Sequence, residues 1–92
     1  MVSAFVLISA RFDRIADLAE ELAEIPEVRE VYSVAGDEDI VVVVRVPNHE
    51  DLADVVTRSI ATHEGITRAR TLIAFRQYSE RELDASWDIG VD

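Results

Sequence analysis

Ninety-two residues without a cysteine make a single domain near the lower limit for a self-sufficient core, and exclude disulfides, thiolate metal sites and a thiol nucleophile. Nineteen acidic residues against nine basic ones set the formal charge at −10, and all nine basic residues are arginines. Non-specific DNA affinity comes from Lys and Arg neutralising phosphates, so this balance predicts no direct DNA binding.

The apolar run Met1–Ala10 lacks a basic leader, and no segment approaches the ~20 apolar residues of a bilayer span. The expected setting is therefore the cytoplasm, with no membrane partner. Residues Ala4–Ala10 read as the first strand. Asp13 is placed to cap a helix reaching about Glu24, with Ile15, Leu18, Leu22 and Ile25 on one stripe and Asp17, Glu20, Glu21 and Glu24 facing water. Pro26 stops that helix. Arg29–Ala35 reads as a second strand, with Val31 on one face and Tyr32 and Val34 on the other.

A short acidic turn follows at Gly36, Asp37, Glu38 and Asp39, and then Ile40–Val46 forms a third strand that is apolar on both faces. Pro47 closes it, and Asn48 is a suitable N-cap for a second helix whose stripe is Leu52, Val55, Val56 and Ile60. Glu64-Gly65 ends the helix, and Thr67–Gln77 reads as the fourth strand. The two halves echo one another: Asp17-Leu18-Ala19 on the first helix corresponds to Asp51-Leu52-Ala53 on the second. The order βαββαβ predicts an α+β, ferredoxin-like domain over residues 1–78, a four-stranded antiparallel sheet with both helices on one face. The segment 79–92 opens with the capping-box spacing Ser79-Glu80-Arg81-Glu82 and carries Trp87; a short helix and a docked tail are expected there.

Two helices can cover only one face of such a sheet. Whichever parity of the first and third strands faces them, at least four large apolar side chains face away. Burying four such groups is worth roughly 6–12 kcal/mol, against about 5–15 kcal/mol for a whole domain. Sheet-to-sheet homodimerisation is the simplest cover, with the Trp87 tail folding back as the alternative. Val43→Asp is expected to be severe in either orientation.

The Gly36–Asp39 turn admits three readings. It can be plain hairpin chemistry, with Gly36 supplying positive φ. It can be a metal loop of Asp37, Glu38 and Asp39, although the Ca²⁺-loop spacing is missing. It can also be a recognition loop, in which Gly36 admits a ligand to the backbone and Asp39 answers an ammonium group. His49 and His63 lie too far apart on the second helix to form a metal pair, and the helix dipole accounts for His63. Ser33, Ser59 and Ser79 lack a nucleophile motif, and no Gly-rich phosphate cradle exists. Arg68, Arg70 and Arg76 share one parity and read as a solvated or salt-bridged face. No cofactor is expected, and catalytic chemistry is not visible, although Tyr32 could serve as an acid in a small ferredoxin-like, cofactor-free monooxygenase or isomerase. A purely structural oligomerisation domain is the third alternative.

The order of motifs carries a family resemblance. Ile25-Pro26-x-Val28, Val31-Tyr32-x-Val34-x-Gly36-x-x-Asp39, an apolar strand, a helix and Gly65-Ile66-x-x-x-x-Thr71 together resemble the effector-binding domain of the Lrp/AsnC regulators. This is the RAM (regulation of amino acid metabolism) module, an ACT-like domain, and the resemblance spans about residues 4–77. It implies a non-enzymatic effector module; members of the family normally carry an N-terminal helix-turn-helix DNA-binding domain, none fits in these residues, and a stand-alone version of the module is expected. It further implies dimers that can assemble into octamers, co-assembly with full-length regulators, and amino acids bound between subunits near the Gly-x-x-Asp turn. Gly36, Asp39 and Thr71 match that site, with Ala35 and Ile40 beside them. Glu38 stands where the family often has an aromatic, Ala69 where it often has threonine, and Glu27 where glycine is common.

Overall fold

Strand β1 (Val2–Ala10) runs along the middle of the sheet, because it is apolar on both faces and must be covered on both edges. A computed structural model, which describes residues 1–78, pairs it antiparallel with β3 (Ile40–Val46) on one side and β4 (Ile66–Ile73) on the other. Strand β2 (Val28–Ser33) lies outside β3, so the order is β2-β3-β1-β4, the expected ferredoxin-like arrangement. The capping box from Ser79 and the Trp87 tail lie outside the described residues.

The register decides which parity meets the helices. Ala4, Val6 and Ile8 of β1 and Ile40, Val42, Val44 and Val46 of β3 are fully buried. Over them pack Leu18 and Leu22 of helix α1 (Ile15–Ala23) and Leu52 of helix α2 (His49–Asp54). The echoed Asp-Leu-Ala triplets thus set one leucine each into a shared core. Helix α2 continues into a π-helical turn, Val55–Ile60, in which the Ala61 N–H donates to the Val56 carbonyl. That wider turn explains why Val55 and Ile60, five residues apart, both reach the core. No helix among the described residues is long and apolar enough to cross a membrane.

Helix entries differ from expectation. Asp13 does not cap α1; it lies within a 3₁₀ turn, Phe12–Arg14, and accepts from Arg11 Nε at 3.2 Å. The entry is held instead by Arg14, whose Nη2 donates to both Glu21 oxygens at 2.9 and 3.1 Å. Asn48 does occupy the N-cap position of α2, yet its side-chain amide reaches Asp51 while its carbonyl accepts from Asp51 and Leu52.

Strand β2 ends at Ser33, two residues short of the expected Ala35, because the Val34 N–H is taken by the Asp39 carbonyl as the hairpin loop closes. Strand β4 ends at Ile73, not Gln77, although the Ala74 N–H still donates to the Ser3 carbonyl at 2.8 Å. Ahead of β4, Gly65 has φ +101°, and a Cβ there would lie 2.8 Å from the Arg14 Cβ. Its carbonyl accepts the Arg11 N–H at 2.8 Å, which joins the two helix-flanking turns.

Candidate functional site

The hairpin loop between β2 and β3 is tied down at its far end and open at its tip. Asp39 is the anchor. Its N–H donates to the Ile8 carbonyl at 2.8 Å, its carbonyl accepts from Val34 at 2.9 Å, and its Oδ2 accepts the Ala10 N–H at 2.9 Å. The β1–β3 ladder ends at Ile8 and Ile40, so the Ala10 N–H, which points to the β3 edge, would otherwise lack a strand partner. One carboxylate oxygen of Asp39 is therefore committed to the fold, and the other accepts no hydrogen bond among the described residues.

At the tip, Gly36 adopts φ +144°, a conformation open to glycine, and no heavy atom lies within 4 Å of where a Cβ would stand. Ala35 beside it is exposed. Ile40 is fully buried, backbone included, and presents no surface in the single chain. Glu38 reaches across β1 to Arg70 on β4, with Nη2 3.0 Å from Oε2. Arg70 faces away from the helices, as its pairing with Leu7 requires. One of the three arginines expected on a solvated or salt-bridged face is thus ion-paired.

Thr71 pairs with Val6 and lies on the opposite parity from Arg70, at the helix side of an edge strand. Two strand spacings separate it from β3, roughly 10 Å laterally. The hairpin and Thr71 thus occupy the same half of the sheet without meeting inside one protomer.

The remaining titratable groups carry no visible chemistry. Hydrogen bonding to the Glu30 carboxylate and its negative charge, with a smaller share from burial, push the Tyr32 phenol above its usual value. A tyrosine that holds its proton more tightly is poorly matched to acid catalysis near neutral pH. His63 Nδ1 lies 3.3 Å from the Ile60 carbonyl at the helix end. Among the described residues no group of three or more His, Asp or Glu side chains could hold a metal ion.

The open face of the sheet presents Phe5, Leu7, Val41, Val43, Tyr32 and Leu72. Phe5 is 39% exposed, Leu72 47% and Tyr32 50%. A four-stranded antiparallel sheet backed by two helices, with an apolar open face and a glycine-tipped acidic hairpin at one end, defines the class of small ferredoxin-like βαββαβ domains.

Similarity to known proteins narrows that class to one family. The chain belongs to the Lrp/AsnC family: residues 3–84 match the model of the Lrp/AsnC ligand binding domain. It is similar to the HTH-type transcriptional regulator FL11 of Pyrococcus furiosus, 32% identical over 79 residues, which cover 86% of this chain and 52% of that regulator. The chain spans about half the length of the curated relatives it matches. Among solved structures, TTHA0845 from Thermus thermophilus is 50% identical with a TM-score of 0.82, over 87% of this chain and 100% of that one. A feast or famine regulatory protein from M. tuberculosis, solved in complex with L-methionine, is 35% identical with a TM-score of 0.70, over 88% of this chain and 55% of that chain.

Proposed function

We propose that this domain is a non-enzymatic effector sensor that dimerises through its open sheet face and binds an amino acid at the hairpin end, where subunits meet. The observation that carries this reading is the apolar face left uncovered by the helices, with Phe5, Leu7, Val41 and Val43 of the two central strands on it. Phe5 is 39% exposed and the other three are half-buried by their neighbours, so what they leave in water forfeits roughly 2–4 kcal/mol. A second copy of the same face removes that cost and brings further residues to the hairpin end, which one protomer leaves incomplete.

The ligand class follows from the free groups. An amino acid carries one ammonium and one carboxylate; Asp39 can accept from the first and N–H groups near Gly36 can donate to the second, while the Thr71 hydroxyl, on the helix side of β4, can join only from another subunit packed against that edge. The L-methionine complex of the M. tuberculosis relative supports this class. The net charge of −10 argues against direct DNA contact, so any transcriptional effect would run through co-assembly with full-length regulators or through higher oligomers such as octamers.

Calorimetric screening of the amino acids against wild type and Asp39→Asn tests the site. The asparagine keeps an acceptor for the Ala10 N–H and removes the charge, so it separates recognition from folding. Weakening by roughly 10- to 150-fold is expected from loss of one charge-assisted contact. Equal binding by both proteins refutes the location. If no amino acid binds wild type, the sensor role falls and a structural oligomerisation domain remains.

A further inference from the structure

The hairpin carries three consecutive carboxylates, Asp37, Glu38 and Asp39. That charge suits the ammonium of an amino acid and repels its carboxylate. Backbone N–H groups near Gly36 are partial dipoles and offset the repulsion only in part. Arg70 brings a full positive charge to the same loop. Its Nη2 stands 3.0 Å from Glu38 Oε2, so this guanidinium already holds one carboxylate of the hairpin.

The pair lies at the rim of the open face. Arg70 belongs to the edge strand β4 and pairs with Leu7, in the same cross-strand row as Val41 and Tyr32. That row is in the hairpin half of the sheet, where the proposed effector site lies. The Arg70 side chain is 54% exposed and that of Glu38 24%. Counting through the Glu38 side chain, Arg70 Nη2 lies no more than about 12 Å from the Asp39 Cα. An amino acid gripped at both ends, by Asp39 and by Arg70, spans roughly 9 Å between them, counting two short hydrogen bonds and its own charge separation.

The bond now made is a modest one. Among the described residues Arg70 reaches Glu38 through a single N–H donor, whereas a guanidinium fork can grip a carboxylate through two. An exposed ion pair of this kind adds little stability and exchanges readily. We propose that Arg70 binds the α-carboxylate of the effector in competition with Glu38, whose side chain holds that place until the effector displaces it. The inference rests on the amino-acid reading of the hairpin and adds the residue that selects for a free carboxylate, against amines and α-amides.

Calorimetry on the full chain, at constant ionic strength and at a pH where both probes carry the ammonium, tests it. The probes are the tightest-binding of the twenty amino acids and its α-amide, which lacks the carboxylate. Wild type should prefer the acid by roughly 10- to 150-fold. Arg70→Gln should bind the acid more weakly by a similar factor and lose most of the preference over the amide. Glu38→Gln should bind the acid about two- to fivefold more tightly, because the competitor is gone. Arg68→Gln removes the same charge two residues away, opposite Ser9, and should change the preference little. None of the three residues belongs to the buried core, and circular dichroism checks each fold. Should Arg70→Gln fail to fold, the opposite sign expected of Glu38→Gln still decides. Wild-type affinity for the acid in Arg70→Gln, weaker binding by Glu38→Gln, or an equal loss in Arg68→Gln would each overturn the inference. Those outcomes leave the hairpin reading standing as long as Asp39→Asn weakens binding, whereas no binding by wild type removes both.

Discussion

Val42 and Val43 are neighbours on β3 that point to opposite faces, and they make a matched test of the sheet's two surfaces. Val42 is fully buried under the helices and pairs with Val6 and Val31; Val43 pairs with Phe5 and Glu30 on the open face. Val42→Asp puts an unpaired carboxylate into the core, which costs several kcal/mol beyond the lost apolar burial. That rivals the total stability of about 5–15 kcal/mol, so the variant should be unfolded. Val43→Asp should fold as a monomer. An isologous interface counts the change twice, so two lost valines at ~1.5 kcal/mol each weaken the dimer by about 3 kcal/mol, or roughly 150-fold in Kd. Desolvating two facing carboxylates adds to that. Sedimentation velocity over a concentration series, alongside far-ultraviolet circular dichroism, reads both outcomes. A Val43→Asp protein that dimerises as wild type does would refute the open face as the interface, and a monodisperse 10.3 kDa wild type would do so more directly.

Gly65→Ala should cost about 2–5 kcal/mol in urea unfolding, from the strained φ of +101° and the 2.8 Å approach to Arg14; a loss below ~0.5 kcal/mol would show that the turn relaxes freely. Asp39→Ala should lower stability by about 1–2 kcal/mol even without ligand, because the Ala10 N–H loses its acceptor, whereas Asp39→Asn should lose less; equal midpoints for the two variants would contradict that role. Tyr32 binds its proton more tightly folded than unfolded, so its contribution is present below the usual value near 10 and lost as pH rises through the folded pKa. Glu30→Gln should lower the pH of tyrosinate absorbance, and an unchanged titration would remove Glu30 as the cause.

Much of the fold was legible because a few residues punctuate it strongly. Ile40–Val46 was bounded correctly by the Gly36–Asp39 turn before it and Pro47 after it, and the twofold echo around Leu18 and Leu52 placed both helices on one core. Parity was not legible, since β1 and β3 are apolar on both faces and only the packed helices distinguish Val42 from Val43. A cap at Asp13 is ruled out by a nearby arginine, Arg11, which pairs with it, and by the 3₁₀ turn that intervenes. The π-helical turn did leave a signal: Ser59 stands where a regular α-helical stripe from Val55 would want an apolar residue, and Ile60 takes the place instead. The committed oxygen of Asp39 was hidden, because it depends on where the β1–β3 ladder ends, which leaves the N–H of Ala10, about thirty residues upstream, without a strand partner.

The central position of β1 also sets the order in which this molecule can be built. Its partners arrive late: Val2 meets Val46, and Ala4 meets Ile73 near the end of the described chain. Only the β2–β3 hairpin, closing from Ser33 to Ile40, can pair early. Within this domain the first strand made is thus the last to be completed, and until then Phe5, Val6, Leu7 and Ile8 offer apolar surface and unpaired backbone on both edges. Long-range closure of this kind slows folding and prolongs exposure of a sticky strand. Until β4 has been made, Phe5 and Leu7 can meet a neighbouring chain as readily as their own partner strands.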